Sequence, residues 1–271
     1  MTVDLRSALR VEPGKKARLA RRDPSATPGA PGGAAPTAAA TAVLADEMAS
    51  LDDRLWAQRA RSVLVVLQAM DTGGKDGTVK HVFRGLSPEG VHASYFKEPT
   101  DEDLAHDFLW RIHARVPSLG EIGVFNRSHY EDVLVVRVHR LVPEKVWRAR
   151  YEAIRDFERL LTESGTAIVK LMLHISKDEQ RRRLEARLED REKRWKFDPR
   201  DVAERQRWDD YAAAYEDALT ETSTPYAPWY VIPADHKWYR NWAVSTILVQ
   251  TLREIRPRYP KPKDLGNIRI R

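Results

Sequence analysis

The sequence predicts a three-layer α/β/α domain, in which helices cover both faces of a five-stranded parallel sheet. Five short apolar runs are separated from one another by segments with helical character. No turn signal of the Asn-Gly kind joins two of these runs, so antiparallel hairpins are not expected. Strands that alternate with helices form parallel sheets that are covered on both faces.

Each strand is predicted from its own apolar run. The run SVLVVLQA is apolar and β-branched until its end, which is typical of a strand buried on both faces of a parallel sheet. EIGVFN and TAIVKLMLHI have the same character. The five predicted strands are 62–69, 91–96, 121–126, 166–175 and 229–234.

Helices are predicted between and around these strands. The segment 101–115 begins with acidic residues, which stabilise a helix N-terminus. Pro143 is expected to open the longer helix within 130–164, because proline fits the first turn of a helix. The predicted helical segments are 46–60, 76–86, 101–115, most of 130–164, 177–190, 201–220 and 237–255.

The composition excludes several classes of protein. The chain has 271 residues and no cysteine, which rules out a disulfide scaffold, a cysteine nucleophile and a thiolate metal site. No apolar run approaches the roughly 20 residues that a membrane helix needs. The N-terminus also has no apolar stretch of signal-peptide length. We therefore expect a soluble, cytoplasmic protein without a membrane partner.

The net charge of +6 is concentrated at the two ends of the chain. Residues 1–22 and residues 253–271 each carry seven basic and two acidic residues, so the body between them is slightly acidic. Nucleic acid is therefore not expected as a partner of the body. Residues 24–41 contain only Pro, Ser, Ala, Thr and Gly, which is typical of a flexible linker. The predicted organisation is a basic arm and linker at 1–41, one domain at 42–256 and a basic tail at 257–271.

The segment QAMDTGGKDGT, at 68–78, follows the first predicted strand and opens a helix. Backbone amides, a helix N-terminus and a cation together make a phosphate site, and three glycines here surround Lys75. The match to GxxxxGK[ST] is imperfect, because Ala69 replaces the first glycine and Asp76 follows the lysine. A plain turn at a helix start is the alternative interpretation.

Carboxylates on both sides of Lys75 suggest a metal ion. Asp71 and Asp76 would repel a phosphate chain unless a divalent cation such as Mg²⁺ lay between them. An N-cap is the alternative role for Asp76. Lys80 and Arg84 follow on one helix face and could extend the cationic track, although a solvated face explains Arg84 equally well.

A second polar cluster, at 126–131, follows the third predicted strand. Ligands of open parallel sheets bind outside the carboxyl ends of the strands, which favours a site here. Arg127 offers a bidentate phosphate contact, and Glu131 could help to hold metal. His129 and Tyr130 are expected to have mainly structural roles.

A third cationic segment, at 181–200, carries nine basic and five acidic residues. Its first part reads as a solvated helix with i,i+4 charge pairs. In its second part, basic residues crowd around Trp195 and Phe197, which favours a lid that closes over phosphates and excludes water. A charged helical hairpin that only stabilises the fold is the alternative.

Four ordered motifs resemble those of the type-2 polyphosphate kinase family. They are MDTGGKDGT, GEIGVFNRSHYEDV, REKRWKFDPRD and WYVIPADHKWYRNW, and the resemblance covers about residues 45–256. It implies a P-loop kinase fold with a helical lid at about 190–205. It also implies reversible, Mg²⁺-dependent transfer of a phosphoryl group from inorganic polyphosphate to nucleotides, with Mn²⁺ as a second candidate cofactor.

Roles for particular residues follow from their chemistry and from this resemblance. The expected catalytic residues are Asp71, Lys75 and Arg127. The expected polyphosphate-binding residues are Gly73, Gly74, Lys75, Gly77, Thr78, Lys80, Arg127, Arg191, Lys193, Arg194 and Lys196. The expected nucleotide-binding residues are Asn126 and Glu131, and the expected metal ligands are Asp71, Asp76 and Glu131.

The cluster after the third strand departs from the pattern of many family members. They carry Asp-Arg-Ser-Trp-Tyr-Asn, whereas residues 126–131 read Asn-Arg-Ser-His-Tyr-Glu. The first carboxylate is therefore lost, and Glu131 restores one nearby. This version resembles the branch that accepts AMP as well as ADP, so AMP, ADP and ATP are the expected nucleotides. The family further implies a homo-oligomer, either a dimer or a tetramer.

Two functions other than phosphotransfer from polyphosphate are compatible with parts of the sequence. An ATP-dependent nucleotide or small-molecule kinase of the same fold would more usually keep Ser or Thr after Lys75. A non-catalytic module that binds RNA or another polyanion through its two basic ends would bind in a salt-sensitive way. Phosphotransfer from polyphosphate to AMP or ADP is the preferred hypothesis.

Overall fold

One parallel sheet forms the centre of the protein, whose computed structural model describes residues 4–192 and 194–262. Its strands are β1 (Ser62–Ala69), β2 (Val91–Tyr95), β3 (Ile122–Asn126), β4 (Thr166–His174) and β5 (Trp229–Pro233). They lie in the order β2-β3-β1-β4-β5, and all four neighbouring pairs are parallel. Central β1 is buried along its whole length. The predicted fold class and the five predicted strands are confirmed.

Helices form a layer on each face of the sheet. They are α1 (Leu5–Leu9), α2 (Ala34–Gln58), α3 (Lys75–Val82), α4 (Asp101–Leu104), α5 (Trp110–His113), α6 (Val135–Val138), α7 (Glu144–Glu163), α8 (Lys177–Glu189), α9 (Pro199–Gln206), α10 (Trp208–Thr222) and α11 (Lys237–Ile255). Helices α2 and α3 pack against α11, whereas α6 and α7 pack against α10. No helix in the described ranges is both long and apolar enough to cross a membrane.

Two predicted helices are interrupted in the structure. The segment 101–115 forms the two short helices α4 and α5, and the Asp107 side chain accepts a hydrogen bond from the backbone N–H of Leu109 between them (2.9 Å). Such a local bond offers the backbone an alternative to the helical pattern. The segment 201–220 is divided into α9 and α10 at Arg207.

Much of the N-terminal segment, which the sequence predicts as a basic arm and a flexible linker, is packed on the core or helical. Leu5, Leu9 and Val11 are buried in the core, and the backbone N–H of Val11 donates to the carbonyl of Trp229 in β5 (2.8 Å). The alanine-rich residues 34–41 are the first part of α2, because alanine is the strongest helix former. The remaining division of the chain stays a prediction, and residues 263–271 of the tail lie outside the described residues.

Asp52 on α2 is a buried acid whose charge destabilises the fold at neutral pH. Burial raises its pKa to about 6, and neither oxygen of the carboxyl has a hydrogen-bond partner among the described residues. A raised pKa means that the folded state holds the proton more tightly. This contribution to stability is therefore present below about pH 4 and lost as the pH rises through about 6.

Asp52→Asn is expected to raise the free energy of unfolding at pH 7.5 by up to about 3 kcal/mol, because the substitution removes a buried charge. The gain should shrink towards pH 4, because the carboxyl of the folded wild type is protonated there and no buried charge remains for the substitution to remove. Urea unfolding of wild type and variant at pH 7.5 and at pH 4 measures the difference in free energy of unfolding. The exposed Asp46 of the same helix, changed to Asn, is the control. An equal effect of Asp52→Asn at the two pH values would contradict the buried charge.

Candidate active site

The segment between β1 and α3 is a tight loop against the first turn of a helix. Gly74 precedes α3 with a φ of 101°, a left-handed conformation that favours glycine. A Cβ atom on Gly73 would collide with the Cβ of Ala69, so only glycine fits there. Thr78 is buried, and its hydroxyl donates to the carbonyl of Gly74 (3.1 Å). This loop holds backbone amides at the N-terminus of α3, as the sequence predicts.

Lys75 is the first residue of α3, and its Nζ donates to the carbonyl oxygen of Ala69 (3.1 Å). Burial, and then the charge of Arg127, lower the pKa of this lysine. Three carboxylates oppose the shift, namely Glu131, Asp71 and Asp76. The structure therefore brings residues from the ends of β1 and β3 to within electrostatic reach of one ammonium group.

Arg127 directly follows β3 and has a left-handed backbone with a φ of 62°. Burial by itself would lower the pKa of the Arg127 guanidinium. The nearby carboxylates of Glu131 and Asp71 outweigh the effect of burial, so the pKa is raised. Arg127, which the sequence predicts as a phosphate-binding cation, thus lies close to the predicted metal ligands Glu131 and Asp71. A guanidinium in this place can form two hydrogen bonds to one phosphate group.

Asn126 has a partner that the sequence did not indicate. Its side-chain Nδ2 donates to Oδ1 of Asp76 (2.7 Å), which joins the end of β3 to the first turn of α3. Behind this contact, the buried Gln68 donates to the hydroxyl of Ser128 (3.1 Å). These bonds fix the position of the β3 end against the phosphate loop.

The carboxylates do not form one complete metal-binding set. Within the described ranges, no group of three or more His, Cys, Asp or Glu residues is placed to hold a metal ion. The predicted set of Asp71, Asp76 and Glu131 is therefore not assembled from protein ligands alone. Oδ2 of Asp71 is nevertheless buried and has no hydrogen-bond partner among the described residues. Such an orphaned carboxylate oxygen is suited to a cation, and Mg²⁺ commonly takes only one or two carboxylates besides phosphate oxygens and water.

A fully buried polar cluster supports the turn that follows Arg127. Nζ of Lys170 donates to Glu158 (2.6 Å) and to the hydroxyl of Tyr130 (3.0 Å), and Tyr130 donates to Glu158 (2.8 Å). His129 packs in the same cluster and is completely buried. Lys170 holds the pKa of Glu158 below its usual range despite the burial of that carboxyl. These contacts agree with the structural roles expected for His129 and Tyr130.

Two arginines at the loop were missed by the sequence analysis. Arg183 on α8 donates to the carbonyls of Thr72 (3.2 Å) and Ala234 (2.5 Å), although its segment reads as a solvated helix. Arg240 on α11 is only 2% exposed and lies against Gly74. Its position in the first turn of the helix that follows the last strand is the signal that could have identified it.

The predicted lid cations are not all brought to the phosphate loop. Nε of Arg194 donates to the carbonyl of Leu188 (2.6 Å), and a guanidinium at the end of a helix commonly satisfies such a carbonyl. Arg191 is exposed, and so is Lys80, the cation predicted to bind polyphosphate from α3. Lys193 and the side chain of Lys196 lie outside the described residues.

Comparisons with known proteins agree with this geometry. The family model described as Polyphosphate kinase 2 (PPK2) matches residues 35–260. An AMP/ADP-polyphosphate phosphotransferase of Meiothermus ruber is 55% identical over 254 residues, which cover 94% of this chain and 95% of that protein. An ADP-polyphosphate phosphotransferase of Rhodopseudomonas palustris is 45% identical over 228 residues, covering 80% and 79%.

A solved structure shares the fold. The crystal structure of polyphosphate kinase 2 from Arthrobacter aurescens TC1 matches with a TM-score of 0.93 and 45% identity, over 99% of this chain and 94% of that chain. The fold is therefore that of the P-loop kinases. The family match, at residues 35–260, includes all four motifs. This chain belongs to the polyphosphate kinase 2 family.

Proposed function

We propose that this protein transfers the terminal phosphoryl group of inorganic polyphosphate to AMP or ADP, reversibly and with Mg²⁺. The observation that carries the proposal is the phosphate loop, in which glycines, Lys75 and the N-terminus of α3 face the guanidinium of Arg127. The names of the relatives from Meiothermus ruber and Rhodopseudomonas palustris support the donor and the acceptors.

The transfer needs positioning and charge neutralisation more than covalent chemistry. An oxygen of the acceptor phosphate attacks the terminal phosphorus of the chain, the bridging P–O bond breaks, and the shortened chain leaves as an anion. Negative charge is spread over the transferring oxygens during this step. Lys75 and Arg127 are placed to neutralise that charge, and no hydroxyl has to be deprotonated.

Asp71 is the residue best suited to hold Mg²⁺, because one of its carboxylate oxygens is buried and has no hydrogen-bond partner in the part of the chain that the structure describes. Asp76 and Glu131 lie close enough to Lys75 to raise its pKa. Together with phosphate oxygens and water, they could complete the set of metal ligands. A bound Mg²⁺ would neutralise phosphate charge that these acids would otherwise repel. Mn²⁺ prefers the same type of ligand and is the second candidate.

The acceptor is expected on the β3 side of the loop, where Asn126 and Glu131 lie. Asn126 is held by Asp76, so its amide has a fixed orientation. A shorter acceptor such as AMP needs its own phosphate placed at the reacting centre, and the carboxylate of Glu131 could position it through the metal. This arrangement supports the assignment of both AMP and ADP as acceptors.

The observed packing counts against an RNA-binding module that uses the two basic ends. Much of the N-terminal segment is fixed to the core through buried side chains such as Leu5 and Leu9, rather than free to wrap a polyanion. Arg22 uses its guanidinium to bind the carbonyls of Ala17, Leu9 and Arg10. Homo-oligomerisation and a cytoplasmic location stay predictions.

The function is tested by incubating the protein with Mg²⁺, long-chain polyphosphate and, separately, AMP, ADP and GDP, and identifying the nucleotides formed. We expect ATP from ADP, and ADP followed by ATP from AMP. Parallel reactions with Mn²⁺, without metal and with ATP as the only donor define the cofactor and the donor. Turnover with ATP but not with polyphosphate would favour the ATP-dependent kinase.

Arg127→Lys is expected to lower kcat/KM for polyphosphate by roughly 10²-fold, because a point charge cannot replace the two parallel hydrogen bonds of a guanidinium. Steady-state kinetics with ADP as acceptor measures the effect. Arg159→Lys is the matched control, since Arg159 is an exposed residue of α7 that pairs with Asp156. Near-normal activity of Arg127→Lys would remove Arg127 from the site.

A further inference from the structure

Helix α9 lies largely within the predicted lid and is held in place on two sides. On one side, Arg205 donates to the carbonyl of Lys177 (2.7 Å) and to the side chain of Gln180 (2.9 Å), both at the start of α8. On the other side, Glu204 contacts α10 and the segment that follows α6. Because α8 follows β4 and α6 follows β3, the helix bridges the two neighbours of β1 in the sheet.

One carboxylate oxygen of Glu204 is the centre of a cluster of three side chains. The hydroxyl of Tyr211 on α10 donates to Oε2 of Glu204 (2.7 Å), and Nε2 of His139 lies 3.1 Å from the same oxygen. This nitrogen also lies 3.4 Å from the Tyr211 hydroxyl, which closes the triangle. The three residues, which we call the lid cluster, are only partly exposed, so their hydrogen bonds are stronger than they would be in open solvent.

The lid cluster lies beside the candidate active site. Burial, and then the carboxylate of Asp71 in the phosphate loop, raise the pKa of Asp201, which is one turn before Glu204 on α9. Burial, then the bond to Glu204 and then the charge of Glu131 raise the pKa of Tyr211. The helix is therefore within electrostatic reach of the loop, and its contact on α10 is within reach of the β3 side.

A cover over a phosphate site matters because water can take the place of the acceptor. When a water oxygen attacks the terminal phosphorus of a polyphosphate chain, the bridging P–O bond breaks. The products are inorganic phosphate and the shortened chain, which keep the protons of the water. Transfer to a nucleotide competes with this hydrolysis, and a closed lid favours transfer because it excludes water.

We propose that Glu204 holds α9 closed through Tyr211 and His139, and that this contact keeps water away from the transferring phosphoryl group. The inference rests on the proposed function and adds to it a positioning residue that acts through the lid. Because His139 and Tyr211 both lie on the β3 side, the contact also joins the lid to the side on which the acceptor is expected.

The test uses the full chain with Mg²⁺, ADP and long-chain polyphosphate, and measures the inorganic phosphate released for each ATP formed. Glu204→Ala removes both bonds, and alanine favours a helix, so α9 itself is not weakened. We expect this ratio to rise about tenfold, which corresponds to the loss of hydrogen bonds to a charged group. Glu185→Ala makes the same change at an exposed position of α8 and is the control.

Tyr211→Phe and His139→Phe each remove one bond and should raise the ratio by smaller factors. Combined with Glu204→Ala, neither should raise it further, because the three side chains act as one unit. An unchanged ratio in Glu204→Ala, or an equal rise in Glu185→Ala, would overturn the inference, since a merely structural glutamate does not alter the choice between nucleotide and water. If Glu204→Ala does not fold, Tyr211→Phe takes its place in the same test.

Limited digestion with trypsin, without substrates, tests the contact independently of turnover. Cleavage after Arg200 and Arg205 of α9, identified by mass spectrometry, should be several-fold faster in Glu204→Ala than in wild type, because the helix opens more often. Unchanged cleavage would also overturn the inference. Failure of wild type to use any polyphosphate would instead reject the proposed function, so the two failures are distinguishable.

Discussion

Turnover of Lys75→Met with polyphosphate and ADP is expected to fall by roughly 10³-fold, with little loss of stability. The ammonium group is placed among Arg127 and three carboxylates, where it neutralises charge on the transferring oxygens. Among the described residues, the folded protein loses one hydrogen bond, to the carbonyl of Ala69, and the attraction between this ammonium and the three carboxylates. Removing a cation whose burial is unfavourable should leave the free energy of unfolding almost unchanged.

Steady-state kinetics and urea unfolding of the same preparations check both parts of this expectation. Lys145→Met is the matched control, because Lys145 is an exposed residue near the start of α7, far from the loop in sequence. Normal turnover of Lys75→Met would mean that phosphate is bound elsewhere. A large loss of stability would mean that Lys75 acts mainly in folding.

Lys170→Met is expected to lower the free energy of unfolding by roughly 3–5 kcal/mol, which is the largest stability effect that we expect from one substitution. Lys170 and Glu158 are both completely buried and are joined at 2.6 Å. Without the lysine, the carboxylate of Glu158 is left as an unpaired charge in the core. Tyr130, which hydrogen-bonds both groups, would also lose a partner.

The double variant Lys170→Met, Glu158→Gln tests the cause of this loss. It removes both charges and should recover part of the stability, since a neutral pair avoids the unpaired buried ion. Urea unfolding of the wild type, both single variants and the double variant completes the cycle. Additive effects of the two substitutions would show that the ion pair is not coupled.

Four of the five strands, β1, β3, β4 and β5, could be predicted almost to the residue because they are buried. A continuous run such as SVLVVLQA has few alternatives in a soluble domain, and β1 occupies those same residues. The segment 101–115 was less predictable, since its helical pattern competes with the local bond between Asp107 and Leu109. Propensity alone does not decide between a helix and a capped turn.

Composition misled the prediction at 24–41, where residues of low hydrophobicity suggested a linker. The same alanines that bury little surface are strong helix formers, and α2 begins at Ala34 once Met48 and Leu55 anchor its second half in the core. Tertiary contacts of this kind are absent from local patterns. Such contacts make residues from Ala34 onwards part of a long helix, although their local sequence suggests a linker.

The candidate site was predictable where its residues follow strands directly. Lys75 and Arg127 come after β1 and β3, which are neighbours in the sheet, so topology alone brings them together. Arg183 and Arg240 come from helices distant in sequence from the loop. Their roles depend on which face of each helix meets Gly74, and periodicity does not specify this for a helix as charged as α8.

The backbone contact between the N-terminal segment and β5 has a consequence for how the protein can be handled. Arg10 pairs with Tyr230 in an antiparallel bridge, and Val11 bonds to Trp229, so an additional piece of chain shields the outer border of the sheet. Exposed sheet borders recruit other chains and promote aggregation. A shortened protein that starts at residue 42 would uncover this border, and its insolubility would then say nothing about catalysis.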